Sequence, residues 1–257
     1  MNVLVTGGAG FIGSHVANIM LEAGHNVVIV DNLYTGHRHN VPDNAKFYEA
    51  DITDFEQMEQ VFSAEGIDAI SHQAALANVR DSMKEPLQYA KVNLLGSLTL
   101  LEMARKYGVK KIVFASTGGA TYGEGYSESG DRLPFTEQSW PVPKDNYGAN
   151  KLSVEHHLDL YYYAYGLKYA ALRYPNVYGP RQDCKGEAGV VAIFAGVRGH
   201  LDGIAINDVN RFESQFLDHV RDTHADILTD IRDSGALSDE TEKKLEEAAS
   251  AFVKTFA

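Results

Sequence analysis

Short segments rich in Val and Ile alternate with helix-like segments up to about residue 180. This order constrains the fold more than any other feature of the chain. Strands are predicted at 2–6, 26–31, 46–51, 67–72, 110–116 and 168–174, with helices at 11–23, 54–63, 86–107 and 147–165. Strands that alternate with helices in this way form a parallel sheet that is covered on both faces. The sequence therefore predicts an α/β fold with a doubly wound parallel sheet.

The chain after about residue 205 has a different pattern, which is helical throughout. Apolar residues keep near-helical spacing over about six turns from Phe212 to Ile231, and Gly235 follows as a stop signal. Ser238 is then placed as the N-cap of a last helix, whose apolar stripe begins at Leu245. Acidic residues are also denser from Ala195 onward, which favours a boundary in this region.

Composition excludes several classes of protein. A net charge of −12 argues against a nucleic-acid partner, because phosphate binding needs clustered Lys and Arg. The chain contains no run of 18 apolar residues, so no membrane span is expected. Met1 leads directly into a strand, which leaves no room for a signal peptide, and the single Cys184 cannot form an internal disulfide. We therefore expect a cytoplasmic protein. No metal site is expected either, because the adjacent His156 and His157 cannot share one helix face.

The strongest motif is VTGGAGFIGSH, in which Gly7, Gly10 and Gly13 follow the first strand and open a helix. Glycines allow a tight turn there and let backbone N–H groups approach a pyrophosphate at the helix N-terminus. Asp31, at the end of the second strand, is placed to accept a hydrogen bond from a ribose 2′-OH and to repel a 2′-phosphate. The pattern predicts a Rossmann-like fold that binds NAD rather than NADP. Asp51 and Ile52 end the third strand, where contacts with adenine are expected.

Tyr147 and Lys151 form a second candidate site. Their spacing of four places both side chains on one helix face, where a nearby ammonium favours the phenolate and makes the tyrosine a better base. Ser116 and Thr117 end the fifth strand, at the carboxyl edge of the sheet where ligands bind in open α/β folds.

Residues 1 to about 194 resemble the extended short-chain dehydrogenases/reductases, and among them most closely the UDP-glucose 4-epimerases. The resemblance runs through DNLYTG, HQAALANV, NLLGSLTLLE, FASTGGATYG, YGANK and RYPNVYGPRQ in addition to the glycine motif. It implies that NAD is held by Gly7, Gly10, Phe11, Ile12, Gly13, Asp31, Asn32, Asp51, Ile52, Ala74, Asn93, Tyr147, Lys151 and Tyr174. It places Asn176 against the pyrophosphate of a nucleotide sugar.

The same resemblance implies the catalytic roles. Tyr147 would remove the proton of a sugar hydroxyl while hydride passes to NAD, and the 4-keto sugar would turn over before the hydride returns. Lys151 would hold the nicotinamide ribose and polarise Tyr147, while Ser116 or Thr117 would hydrogen-bond the reacting oxygen. The family's helix pairing also implies a homodimer.

The C-terminal part resembles another family, because AGVRGHLD, FLDHVR, HADIL and LSDETEKKL are similar to the C-terminal helical region of the ATP synthase alpha subunit. Both resemblances fit residues 190–195, which favours a chimera spliced within one shared helix. The expected domains are an NAD-binding domain over 1–189 and a helical segment over 190–257 that replaces the usual substrate domain. We therefore expect NAD binding with little or no epimerase turnover. An active nucleotide-sugar epimerase and a recombined fold with a purely structural role and no activity are the alternatives.

Overall fold

Six parallel strands form one sheet in the computed structural model, in the order β3-β2-β1-β4-β5-β6. The strands are β1 (Asn2–Thr6), β2 (Asn26–Asp31), β3 (Lys46–Glu49), β4 (Ala69–His72), β5 (Lys111–Thr117) and β6 (Lys168–Tyr174). The strand order changes direction between β1 and β4, so the crevice outside their carboxyl ends is where such sheets bind ligands. The predicted doubly wound parallel sheet is confirmed.

The structure describes residues 1–123, 135–175, 177, 181–182, 200, 204, 208–234 and 237–256. Two compact units divide the chain, Met1–Val177 and Tyr178–Ala257. The helices of the first unit are α1 (Phe11–Glu22), α2 (Phe55–Glu65), α3 (Val79–Lys84), α4 (Pro86–Tyr89), α5 (Gly96–Tyr107), α6 (Gly118–Tyr122) and α7 (Asn146–Tyr165). A single turn of 3-10 helix spans Arg38–Asn40, and a π-helical turn, Ala90–Leu95, joins α4 to α5.

Alternation along the central strands buries apolar side chains on both faces of the sheet. Leu4 and Val28 belong to a core cluster that includes residues of α2, α5 and α7, whereas Val5 and Ile29 belong to a second cluster that includes Ala17 of α1. Each of these strand side chains is at most 4% exposed. Since both faces are covered by helices, the strands are nearly continuous apolar segments.

Local hydrogen bonds explain two elements that the sequence pattern did not predict. α6 follows β5, where no helix was predicted, because Thr117 caps it by accepting a hydrogen bond from the Ala120 N–H at 3.3 Å. α3 begins in the same way, with the side chain of Asn78 accepting from the Asp81 N–H at 3.0 Å. Such side-chain caps satisfy N–H groups that lack partners within a helix.

The C-terminal unit has α8 (Val209–Thr223), α9 (Ala225–Ser234) and α10 (Asp239–Thr255). The prediction of a helical segment is confirmed, and Ser238 caps α10 as expected. The predicted continuous pattern from Phe212 to Ile231 is broken at His224, which leaves the helical conformation with φ −135° and ψ 42°. The break lets the apolar residues of α8 and α9 share one core with α10, formed by Phe212, Phe216, Val220, Ile227, Ile231, Leu245, Ala248 and Ala249.

Candidate functional site

A tight turn joins β1 to α1 and depends on glycine at two positions. Gly7 has φ +69°, and a Cβ added there would lie 2.7 Å from the backbone N of Ala74. A Cβ at Gly13 would overlap the carbonyl oxygen of Gly7. The Gly10 N–H donates to that same carbonyl at 3.1 Å, and Gly10 is the N-cap of α1 with no side-chain cap. The first turn of α1 therefore packs directly against the glycine turn, with its N-terminus open to an anion.

A cavity of about 290 Å³ lies over this turn. It lies near the lower limit of typical small-ligand pockets, roughly 300 Å³. Ten of the residues predicted to hold the cofactor line it: Gly7, Gly10, Phe11, Ile12, Gly13, Asp31, Asn32, Asp51, Ile52 and Ala74. The lining also includes residues that the sequence analysis did not select, namely Val30, Tyr34, Thr35, Ala50, Gln73, Ala75, Leu76, Ala77, Gln88 and Val92. The carboxyl ends of β1, β2 and β4 thus meet at one site.

Asp31 is fixed at the wall of this cavity by two backbone donors. Its Oδ2 accepts a hydrogen bond from the Ala9 N–H at 3.0 Å, and its Oδ1 accepts one from the Leu33 N–H at 2.8 Å. The backbone of Leu33, the second of these donors, has the left-handed conformation, with φ +56°. Each carboxylate oxygen has two lone pairs, so both can accept a further hydrogen bond from a ligand hydroxyl.

Asp51 lies on the same cavity wall and is held charged by its neighbours. Its Oδ1 accepts from the Thr53 N–H at 2.8 Å, and its Oδ2 accepts from the Asn32 side chain at 2.9 Å. Burial acts to raise the pKa of Asp51, but these hydrogen bonds and the charge of Lys91 together lower it below its usual range. The cavity therefore carries two carboxylates along one wall.

Tyr147 and Thr117 lie together beyond this cavity. Tyr147 is in the first turn of α7, which Asp145 caps by accepting from the Gly148 N–H at 2.7 Å. The phenol group hydrogen-bonds with the Thr117 side chain. Ser116 is instead buried and donates to the Glu155 carboxylate. Of the two residues that end β5, the structure brings Thr117 to Tyr147.

Lys151 follows one turn later on α7 and is only 3% exposed. Its Nζ donates to the Ala115 carbonyl at 2.7 Å and lies 5.8 Å from the centre of the Tyr147 ring. Burial lowers the pKa of Lys151 to about 7, because the charged ammonium is poorly solvated there. The four-residue spacing thus places Tyr147 and Lys151 near each other, as predicted.

The acid–base state of Tyr147 differs from the expected one. The spacing predicted that the ammonium of Lys151 would favour the phenolate. Burial, reinforced by the charge of Asp145, instead raises the pKa of Tyr147 to about 12 against the opposing effect of the Thr117 hydrogen bond. The main reason is burial of the phenol, which disfavours the charged phenolate.

The depressed pKa of Lys151 makes a prediction about stability. Above pH 10.5 this group is neutral in the folded and the unfolded chain, and as the pH falls towards 7 the unfolded chain takes up the proton first. The folded state is therefore destabilised progressively as the pH falls through this window. Between pH 7 and 9 the free energy of unfolding of the wild type should rise relative to that of Lys151→Met, by up to about 1.4 kcal/mol per pH unit.

Urea denaturation of both proteins at pH 7, 8 and 9 measures this difference. Lys111→Met, which replaces an exposed lysine of β5, serves as the control and should keep the pH profile of the wild type. Parallel pH profiles for the wild type and Lys151→Met would contradict the prediction.

Besides Tyr147 and Lys151, three further predicted ligand-binding residues are not placed on the described cavity wall. Asn93 was expected to contact the cofactor, but its Oδ1 accepts from the Leu76 N–H at 2.8 Å and its Nδ2 donates to the Leu76 carbonyl at 2.9 Å. With both polar atoms engaged, Asn93 holds the cavity wall from behind. Tyr174 ends β6, in register with Thr117 of β5. Asn176 lies outside the described residues.

Sequence reasoning missed His72, which ends β4 and is only 1% exposed. Its Nδ1 lies 2.8 Å from the Thr6 hydroxyl and its Nε2 lies 2.8 Å from the Ser97 hydroxyl. Burial, and secondarily the charge of Lys151, lower the pKa of His72 to about 3, so the ring is neutral. The signal available in the sequence is a histidine that ends an apolar strand in AISH, directly before a loop at the carboxyl edge.

The site can be compared with known proteins. A family model described as the NAD dependent epimerase/dehydratase family matches residues 3–201. The chain belongs to this family. Its members depend on NAD, the cofactor that the glycine motif and Asp31 predicted. A second family model, described as the C-terminal domain of the ATP synthase alpha/beta chain, matches residues 180–252.

Relatives of this epimerase/dehydratase chain are UDP-glucose 4-epimerases. The chain is 48% identical over 183 residues to the UDP-glucose 4-epimerase of Lacticaseibacillus casei. The matched segment covers 71% of this chain and 54% of that protein. A crystal structure of the Thermotoga maritima enzyme with UDP-glucose superposes with a TM-score of 0.71 at 52% identity, covering 77% of this chain and 64% of that one. The Thermus thermophilus enzyme complexed with NAD gives a TM-score of 0.70 at 46% identity, covering 84% and 74% of the two chains. The chain thus spans about half the length of the curated relative from L. casei.

Neither a metal-binding cluster nor a membrane-spanning helix is found among the described residues. Among them, no group of three or more His, Cys, Asp and Glu side chains is arranged to hold a metal ion. None of the described helices is both long and apolar enough to cross a membrane.

Proposed function

We propose that the chain binds NAD in the cavity over the glycine turn. The observation that carries this proposal is the convergence of Gly7, Gly13 and Asp31 on one cavity at the point where the strand order changes direction. The open N-terminus of α1 suits a pyrophosphate, and the Asp31 carboxylate suits a ribose diol. When bound, NAD would supply an acceptor and donor of hydride.

We further propose that the acid–base group is Tyr147, with Thr117 as its hydrogen-bonding partner. The phenol oxygen of Tyr147 would take the proton of a sugar hydroxyl, and the hydroxyl of Thr117 would hold the reacting oxygen. With its pKa raised to about 12, Tyr147 is a poor base in the ligand-free chain. A positive charge near the phenol would lower its pKa and make it a better base. Lys151, once protonated, provides such a charge within 5.8 Å of the ring.

We also propose that the chain is a chimera of an epimerase and an ATP synthase alpha-subunit segment, with little or no epimerase turnover. The two family matches overlap over residues 180–201, which supports a junction in the shared segment at 190–195. The boundary proposed at 189/190 lies near the division between the two compact units. Epimerisation needs a closed pocket that keeps water away from a keto intermediate, in addition to acid–base groups. The match to the L. casei relative covers only 54% of that protein, so the pocket for a UDP-sugar would be incomplete in this chain.

One observation favours an active epimerase as the alternative. Thr117 hydrogen-bonds with the Tyr147 phenol, and the Lys151 Nζ lies 5.8 Å from the centre of the Tyr147 ring, so the three groups proposed for proton transfer lie together. The exposed side chains of Leu160 and Tyr163 on α7 also favour the proposed homodimer, since this apolar surface can pair with a second copy.

Two measurements on the purified chain test the proposal. Isothermal titration should show NAD binding, and a coupled assay with UDP-galactose should show turnover at or near background. Absence of NAD binding would remove the cofactor proposal. Robust turnover that is lost in Tyr147→Phe would establish the active epimerase instead, while turnover that persists in Tyr147→Phe would indicate a contaminating enzyme.

A further inference from the structure

Three buried polar side chains and the backbone carbonyl of a fourth buried polar residue form a continuous hydrogen-bonded chain behind the cavity. The four residues are Thr6 at the end of β1, His72 at the end of β4, Asn93 in the π-helical turn and Ser97 in α5, and each is at most 2% exposed. Thr6 Oγ1 lies 2.8 Å from His72 Nδ1, and His72 Nε2 lies 2.8 Å from Ser97 Oγ. Ser97 Oγ donates to the Asn93 carbonyl at 2.6 Å. We call these four residues the His72 network.

The direction of each hydrogen bond in the His72 network follows from the number of protons available. The one hydroxyl proton of Ser97 goes to the Asn93 carbonyl, so toward His72 the Ser97 oxygen can only accept. His72 must therefore carry its proton on Nε2, which leaves Nδ1 as the acceptor for the hydroxyl of Thr6. The Thr6 oxygen in turn accepts from the Ala74 N–H at 3.3 Å. Every donor of the His72 network has an acceptor only when the His72 ring is the neutral Nε2–H tautomer.

Both ends of the His72 network reach the same loop, residues 73–77. One end is the Ala74 N–H, which donates to Thr6. The other is Asn93, whose side chain donates to and accepts from the backbone of Leu76 at 2.9 and 2.8 Å. Ala74 and Leu76 line the cavity. The π-helical turn places Asn93 at this contact, which agrees with the frequent occurrence of such turns at functional sites.

We propose that His72 is a positioning residue that, as the neutral Nε2–H tautomer, holds the 73–77 loop in the shape that accepts the dinucleotide. This inference rests on the proposed binding of NAD. His72 itself touches no ligand in this scheme, because it acts through Thr6, Ser97 and Asn93. The shape of the loop is thereby coupled to the glycine turn, since Thr6 immediately precedes Gly7 and its carbonyl accepts from the Gln73 N–H at 3.2 Å.

The surroundings of the ring agree with this role. The ring of Phe114 in β5 packs against His72 with the ring centres 5.5 Å apart. Burial, and to a smaller extent the charge of Lys151 of α7, lowers the pKa of His72 to about 3. A ring that stays neutral keeps its Nδ1 acceptor, so the His72 network stays intact at neutral and mildly acidic pH.

Nitrogen NMR of the full chain, labelled with ¹⁵N-histidine, tests the tautomer directly. The chain has 10 histidines, and the spectrum of His72→Asn identifies the signals of His72 by their loss. Between pH 8 and pH 5 His72 should keep one protonated Nε2 and one unprotonated Nδ1 without titrating. A protonated Nδ1, or titration near the ordinary pKa of about 6.5, would overturn the proposal.

The coupling to the cavity is tested by NAD titration of two variants. Ser97→Ala removes the acceptor of His72 and should weaken NAD binding about tenfold, the effect expected for one net hydrogen bond lost from the cavity wall. Val61→Ala removes methyl groups from α2 in the main core, and α2 contributes no hydrogen bond to the His72 network, so this variant controls for lower stability. A loss of affinity no greater than that of Val61→Ala would overturn the proposal. If the wild type fails to bind NAD, the proposed function fails, and the NMR result still decides the tautomer.

Discussion

Gly13→Ala is expected to reduce NAD affinity at least about 100-fold, equivalent to about 2.7 kcal/mol. The added Cβ would overlap the Gly7 carbonyl oxygen, so α1 must move away from the glycine turn. Gly10, Phe11 and Ile12 line the cavity and would move with the helix. Backbone N–H groups can bind a pyrophosphate only at hydrogen-bonding distance, so a shift of about 1 Å removes most of their effect. Titration with NAD measures the loss.

Two further alanine variants separate a local effect at the turn from general destabilisation. A Cβ at Gly119 meets no atom within 4 Å, so Gly119→Ala should bind NAD like the wild type. A Cβ at Gly10 would lie 3.2 Å from the Gly7 carbonyl oxygen, which predicts an intermediate loss for Gly10→Ala. Thermal unfolding of each variant shows whether the fold is retained. Equal affinities for Gly13→Ala and Gly119→Ala would contradict the assignment of the cavity.

The sheet and the glycine turn could be predicted because short-range chemistry determines them. Strands buried on both faces require nearly continuous apolar residues, as in NVVIVD, and this pattern is visible without knowledge of the partners. Within a single β-turn-α unit, Gly13 is required by its contact with the Gly7 carbonyl and Gly7 by its φ of +69°. Asp31 ends the next strand, and its two partners are Leu33, two residues later, and Ala9 of the glycine turn.

The rest depends on contacts between distant segments, which spacing alone does not encode. Asn93 was predicted to contact the cofactor, and its side chain makes one hydrogen bond at each polar atom with Leu76, 17 residues earlier. The effect of Lys151 on Tyr147 was predicted from their separation of four residues, but the sign of a pKa shift is decided by burial. Burial comes from the packing of β5 against α7, and a motif of two residues carries no information about it.

The choice between NAD and NADP provides a second large expected effect. Asp31→Asn should raise the ratio of NADP affinity to NAD affinity at least about tenfold. The carboxylate repels a 2′-phosphate and accepts from a ribose 2′-OH, and the amide does neither as well. The amide has one oxygen where the carboxylate has two, so either the Ala9 N–H or the Leu33 N–H loses its acceptor. NAD affinity itself should therefore fall, by a factor of about 10 to 100.

Asp51→Asn is the matched control, because Asp51 is a second carboxylate on the same cavity wall. Its oxygens accept hydrogen bonds from Thr53, which follows β3, and from Asn32, which follows β2. In this region the sequence predicts contacts with adenine rather than with ribose. Titration of both variants with NAD and with NADP should change the ratio of affinities only for Asp31→Asn. An equal change in both variants would show that the total charge of the cavity makes the selection. An unchanged ratio in Asp31→Asn would mean that Asp31 acts only through the two backbone amides that it holds.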